Sequence, residues 1–128
     1  KWGQSSHAKR ENEDNIHDLN HFPRLTWLEW MSALSTFKYA VHLMPTIAAG
    51  TFSLNCAYFG VPCIGNEKVD TQRICHPDLS VDIDDLESAR KVANKLQDQD
   101  FYNECSKKCK ELYRIHYDID IWKRKINL

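Results

Sequence analysis

Apolar residues recur every three to four positions along Leu28, Met31, Leu34 and Phe37, with Trp27 and Trp30 beside them. That spacing predicts an amphipathic helix with one strongly apolar face. Its start is marked by Thr26 and Glu29, a hydroxyl and a carboxylate three residues apart, the reciprocal pair of a capping box. Over 39–44 the pattern becomes a continuous apolar run closed by Pro45, which suits a buried parallel strand. His42 falls inside it, where a histidine serves more often as a structural residue than as a ligand or base. A small-residue loop at 46–50 leads to a short helix over 52–59, ended by Gly60, which can take a left-handed cap. The next strand is expected at 61–65 and a helix at 67–75, stopped by Pro77. Residues 79–83 alternate like a strand near a sheet edge. Asp84 and Glu87 suggest a second capping box, ahead of a helix with Leu86, Ala89, Ala93 and Leu96 on its inner stripe. Phe101, Cys105, Cys109, Leu112 and His116 form the stripe of a longer helix, with Lys107, Lys108 and Lys110 toward solvent. A last short helix over 118–128, with Ile119, Ile121, Trp122 and Ile126, is expected to cross to another domain. Upstream, 15–19 suit a short strand, while 1–14 show no apolar period and suggest a flexible or truncated N-terminal arm.

Strands alternating with helices at this spacing predict an α/β domain over 15–128, a Rossmann-like parallel sheet with helices on both faces. Such sheets bind ligands beyond the carboxyl ends of their strands, so the loops after Met44 and Ile64 are the places for a site.

Composition narrows the choice of partner. The chain has 128 residues, 42% of them hydrophobic, enough for one domain with its own core. A formal charge of −1 provides no basic stripe for a phosphate backbone, which argues against nucleic acid. No apolar run approaches the roughly 20 residues that span a bilayer. Cys56, Cys63, Cys75, Cys105 and Cys109 are an odd set, in keeping with reduced thiols in a cytoplasmic setting. Cys105 and Cys109 stand one helical turn apart, yet no CxxC pair or matching histidines complete a zinc set, and they are expected to face the core. No metal is expected.

The window that carries chemistry runs from the end of the 39–44 strand into the following helix. A buried strand ends, small residues let another group approach the backbone, and Thr51 and Ser53 stand beside the free N–H groups of a helix start. Open N–H groups and the helix dipole favour a phosphate there. The competing reading is that Thr51 or Ser53 only caps the helix.

The run LMPT…AAGTFSLNCAYFGVPCIG, from Leu43 to Gly65, resembles the C-terminal, donor-binding half of GT-B-fold glycosyltransferases. In that family a strand ending in proline, a glycine-containing loop, a helix and then Gly-Val-Pro with an apolar strand form the donor site. Here Pro45, Gly50, the helix from Phe52, and Gly60-Val61-Pro62 stand in that order, and the later elements follow the family's succession. The similarity covers roughly 15–128, and its most specific part is the helix-GVP-strand unit. Many members place a ribose-binding glutamate five residues before the glycine of that unit, where this chain has Asn55. A second glutamate usually stands earlier in the loop, where this chain has Ala48 and Ala49. These departures suggest a divergent subgroup holding its donor through Thr51, Ser53 and Asn55, or else a copy that has lost activity.

The resemblance implies a glycosyltransferase part that binds a nucleoside-diphosphate sugar, with helix N–H groups and hydroxyls on the leaving phosphate and no cofactor. The implied donor-binding residues are Gly50, Thr51, Phe52, Ser53, Leu54, Asn55, Glu67, Asp70 and Thr71. Of these, Thr51 and Ser53 would meet the diphosphate, Asn55 the ribose, and Glu67, Asp70 or Thr71 the sugar or ribose edge. The family's first βα unit, with its Arg and Lys, has no counterpart here, nor has the acceptor-binding N-terminal domain. The chain alone is therefore expected to be inactive, and no catalytic residue carries over. The parent enzyme would be cytoplasmic or peripheral at a membrane, in polysaccharide or glycolipid synthesis. Two other readings are a nucleotide-sugar epimerase and a non-catalytic interaction domain that docks through Trp2, Trp27, Trp30 and Trp122.

Overall fold

A computed structural model describes residues 2–4, 19–21, 25–45 and 51–126. The expected arm apart from 2–4, the expected strand at 15–19 apart from Leu19, and the loop 46–50, Gly50 included, lie outside the described residues. The chain forms two compact units, Lys1–Leu34 and Ser35–Leu128.

In the first unit β1 (Trp2–Gln4) pairs in parallel with β2 (Leu19–His21), with Trp2 opposite Leu19. This pairing places a strand within the segment expected to be an arm. Helix α1 (Trp27–Leu34) begins at the predicted capping box. The Glu29 N–H donates to Thr26 Oγ1 and the Thr26 N–H to Glu29 Oε1, both at 3.2 Å. The expected apolar face is only partly inside, for Leu34 is fully buried while Trp27 and Leu28 are exposed. An eight-residue helix makes little more than two turns, so its stripe stops before Phe37.

The second unit runs β3 (Ala40–His42), α2 (Thr51–Phe59), β4 (Cys63–Asn66), α3 (Asp70–Cys75), a 3₁₀ turn (Pro77–Leu79), β5 (Ser80–Val81), α4 (Leu86–Lys95), α5 (Gln99–Tyr117) and α6 (Ile119–Ile126). The three strands form a parallel sheet in the order β3-β4-β5, with Ala40 opposite Cys63 and Gly65 opposite Ser80. The βαβαβ alternation read from the sequence is present, and β5 sits at a sheet edge as expected. Central β4 is buried along its whole length. Successive side chains of a strand point to opposite faces. Accordingly, Cys63 meets Cys56 of α2 and Gly65 lies under Gln72 of α3, while Ile64 joins Leu79, Val81, Ala89 and Leu96 in the core beneath α4. Helix α5 closes over α2 and α3, where Cys109 packs with Ala57 and Cys75.

Gly60 ends α2 with φ +70°, as the predicted left-handed cap requires. Val61 N–H donates to Cys56 O at 2.8 Å and Gly60 N–H to Ala57 O at 3.1 Å, the paired bonds of a Schellman motif. Pro62 then offers its carbonyl to the Ala40 N–H at 2.8 Å, so pairing with β3 starts just before β4. Ser106 of α5 donates to the Gly60 carbonyl at 2.6 Å, fixing the helix end against its cover.

Three expectations about the later helices are corrected. Asp85, not Asp84, caps α4, accepting from the Ser88 N–H at 3.1 Å and the Ser88 hydroxyl at 2.7 Å. Asp84 instead gives its N–H to Asp82 in the preceding turn, at 2.9 Å. Leu86, the first residue of α4, is exposed, although Ala89 and Leu96 are buried as read. His116 is exposed as well, and beyond Cys109 it is Tyr113 and Tyr117 that pack on the core. Lys108 sits in solvent as expected and pairs with Asp78 at 2.9 Å.

Candidate functional site

Strands β3, β4 and β5 end together at His42, Asn66 and Val81, and helices α2 and α3 begin beyond those ends. Asn66 is buried and ties the edge together. Its Nδ2 donates to the Met44 carbonyl at 3.1 Å, and its Oδ1 accepts from the Lys68 N–H at 3.0 Å. One side chain thus anchors both the segment leaving β3 and the turn leading into α3. The His42 ring packs on Phe52 with centroids 5.1 Å apart, a structural role in line with the sequence reading. Burial of that ring lowers the His42 pKa.

The predicted donor-binding residues fall into separate groups. Ser53 and Thr71 come together, with their hydroxyl oxygens 2.8 Å apart, so the first turns of α2 and α3 are bridged directly. Ser53 is buried within that bridge, and Leu54 packs into the core with Ala57 and Cys109. Thr51 is exposed and Asn55 is half-buried one turn later. Residues four apart share one helix face, so these two line a stripe away from the buried Ser53, Cys56 and Ala57. Glu67 and Asp70 are exposed, and Asp70 is engaged by Arg73 at 2.7 Å. Arg73 also donates to the Glu67 carbonyl at 3.2 Å, which holds the turn before α3.

Electrostatics distinguish the two helix starts. Helix α3 carries Asp70 in its first turn, whereas α2 has no acidic residue there and is the only described helix without one. The positive end of the α2 dipole therefore meets no carboxylate of its own first turn.

Two further residues position this edge from below, and the motif reading missed both. His76 is buried between β4 and α2: its Nδ1 accepts from the Cys63 N–H at 3.3 Å, and its Nε2 lies 3.0 Å from the Ser53 carbonyl. An acceptor at Nδ1 and a carbonyl at Nε2 select the neutral ring with its proton on Nε2. Burial pushes its pKa down to about 4. Gln72 is also buried, donating through Nε2 to the Cys63 carbonyl at 2.7 Å. Its side chain crosses Gly65 so closely that a Cβ there would collide with it. The available signal was the Gly65 position itself, because a glycine inside a buried strand marks a close approach.

The five cysteines are all free and buried. Burial pushes Cys109 up to about 12 and Cys75 and Cys105 up to about 11, so these thiols are protonated and poor nucleophiles. Cys105 and Cys109 face the core as read. Among the described residues no group of His, Cys, Asp and Glu is arranged to hold a metal ion, and no helix is long and apolar enough to cross a membrane. No family model, characterised protein or solved structure matches this chain.

Proposed function

We propose that this chain is the donor-binding part of a glycosyltransferase of GT-B type, and that it holds the diphosphate of a nucleotide sugar at the start of α2. The observation that carries the reading is the α2 start at the carboxyl edge of a parallel sheet, with Thr51 exposed and no carboxylate in its first turn. An anion at that position gains N–H donors and the positive end of the helix dipole. In the transferase reaction these groups stabilise the charge that develops on the leaving diphosphate.

The bridge between Ser53 and Thr71 refines the roles. Thr51 and the first N–H groups of α2 meet the phosphates, and Asn55 on the same face meets the ribose. Ser53 and Thr71 hold the two helix starts at a fixed separation, with Glu67 and Asp70 at the rim. Gly50 and Leu54 serve as backbone and packing.

Calorimetric titration with UDP, GDP, ADP and dTDP tests this reading. One nucleotide should bind selectively, and Thr51→Ala and Asn55→Ala should each weaken it by about 1 kcal/mol, the worth of one lost hydrogen bond. Absence of binding to all four, in a chain that unfolds cooperatively, would refute the donor site and favour the interaction-domain reading.

A further inference from the structure

Helix α6 is strongly amphipathic, and its apolar stripe has no cover among the described residues. Asp118 breaks α5 and restarts the chain as α6, accepting the Asp120 N–H at 2.9 Å through Oδ1. Helix α6 packs against α5, with Ile121 half-buried. Its stripe of Ile119, Trp122 and Ile126 is instead turned outward, at 66%, 59% and 71% exposed. Spacings of three and four residues place these on one side of the helix. Lys123 and Lys125 flank that side, while Arg124 and Asp120 lie opposite. Three positive side chains against one negative set α6 apart from a chain whose formal charge is −1.

We propose that α6 is a surface-binding helix that lies in the interface of an anionic lipid membrane. Its stripe enters the boundary between headgroups and acyl chains, with Trp122 at the depth where an indole is apolar on its rings and polar at its N–H. The two flanking lysines reach back to lipid phosphates and carboxylates on their flexible stems. The charge arrangement selects this occupant over a second copy of the chain, because a self-complementary contact would press two basic rims together. With only eight residues inserted, binding is reversible and needs the electrostatic contribution as well as the apolar one. The inference stands on α6 alone and does not depend on the donor site.

Co-sedimentation of the full chain with vesicles tests it, comparing phosphatidylcholine alone with phosphatidylcholine containing phosphatidylserine. Each Lys or Arg near an anionic leaflet adds roughly fivefold to partitioning, so the two flanking lysines predict about a 25-fold preference for the anionic vesicles. Added salt should release the unmodified chain, since it shortens the range of the attraction. The variants Trp122→Ala with Ile126→Ala, and Lys123→Glu with Lys125→Glu, should each abolish sedimentation while leaving the urea midpoint of folding in place. Trp27→Ala, an exposed tryptophan of the first unit, should sediment like the unmodified chain. Equal partitioning to both vesicle types, no partitioning, or binding that survives either double variant would overturn the proposal. A dimer seen by sedimentation velocity and lost in Ile126→Ala, without vesicle binding, would overturn it in favour of self-association.

Discussion

Acidification should destabilise the second unit through His76 before its carboxylates protonate. The ring is buried, and its neutral form satisfies both the Cys63 N–H and the Ser53 carbonyl. A proton on Nδ1 would turn the acceptor for Cys63 into a second donor facing an N–H. The folded chain holds this pKa at about 4, against 6.5 for an ordinary histidine. The unfolded chain therefore takes up the proton first. Stability is complete above pH 6.5 and is lost as the pH falls toward 4, by up to about 3 kcal/mol at the lower end. Urea unfolding, followed by circular dichroism at a series of pH values across that window, measures the slope. His42, whose pKa burial also lowers, contributes in the same direction. The decisive quantity is thus the difference between the unmodified chain and His76→Gln. The variant should be weaker at neutral pH by about 1–3 kcal/mol, having lost its bonds to β4 and α2. The gap should close as the pH approaches 4. Two parallel curves with a constant offset across the window would refute the assignment of the proton to His76.

Gly65→Ala should destabilise folding by about 1–3 kcal/mol, because the added methyl must displace the Gln72 side chain from its bond to Cys63, and a urea midpoint reads the loss. Gly60→Ala should reduce stability by roughly 1–2 kcal/mol at a position with φ +70°, and the same assay checks it. Thiol titration with a disulfide reagent should find all five cysteines slow in the folded chain and fast in urea, with a rapid folded-state reaction at Cys109 counting against its burial.

Local patterns in the sequence determined the order of elements in the second unit. Helix starts and stops are chosen by neighbours within a few residues, so the Thr26 and Glu29 box and the Gly60 cap were legible and are present. The cap of α4 was misplaced by one residue, because Asp82, Asp84 and Asp85 all offer a carboxylate near the helix start. Only the backbone path around the turn selects among them. The sequence also marked the edge at which α2 and α3 start, since a parallel βαβ succession gathers its helix starts at the carboxyl ends of its strands. Which polar side chains pair at that edge was settled by tertiary structure. Ser53 and Thr71, 18 positions apart, share a hydrogen bond, which removes Ser53 from the open surface and leaves Thr51 and Asn55 facing outward. His76 and Gln72 carry no motif, yet the fold buries them where β4, α2 and α3 meet. A side chain's role there depends on which backbone groups lack partners, and those are defined only once the elements have packed.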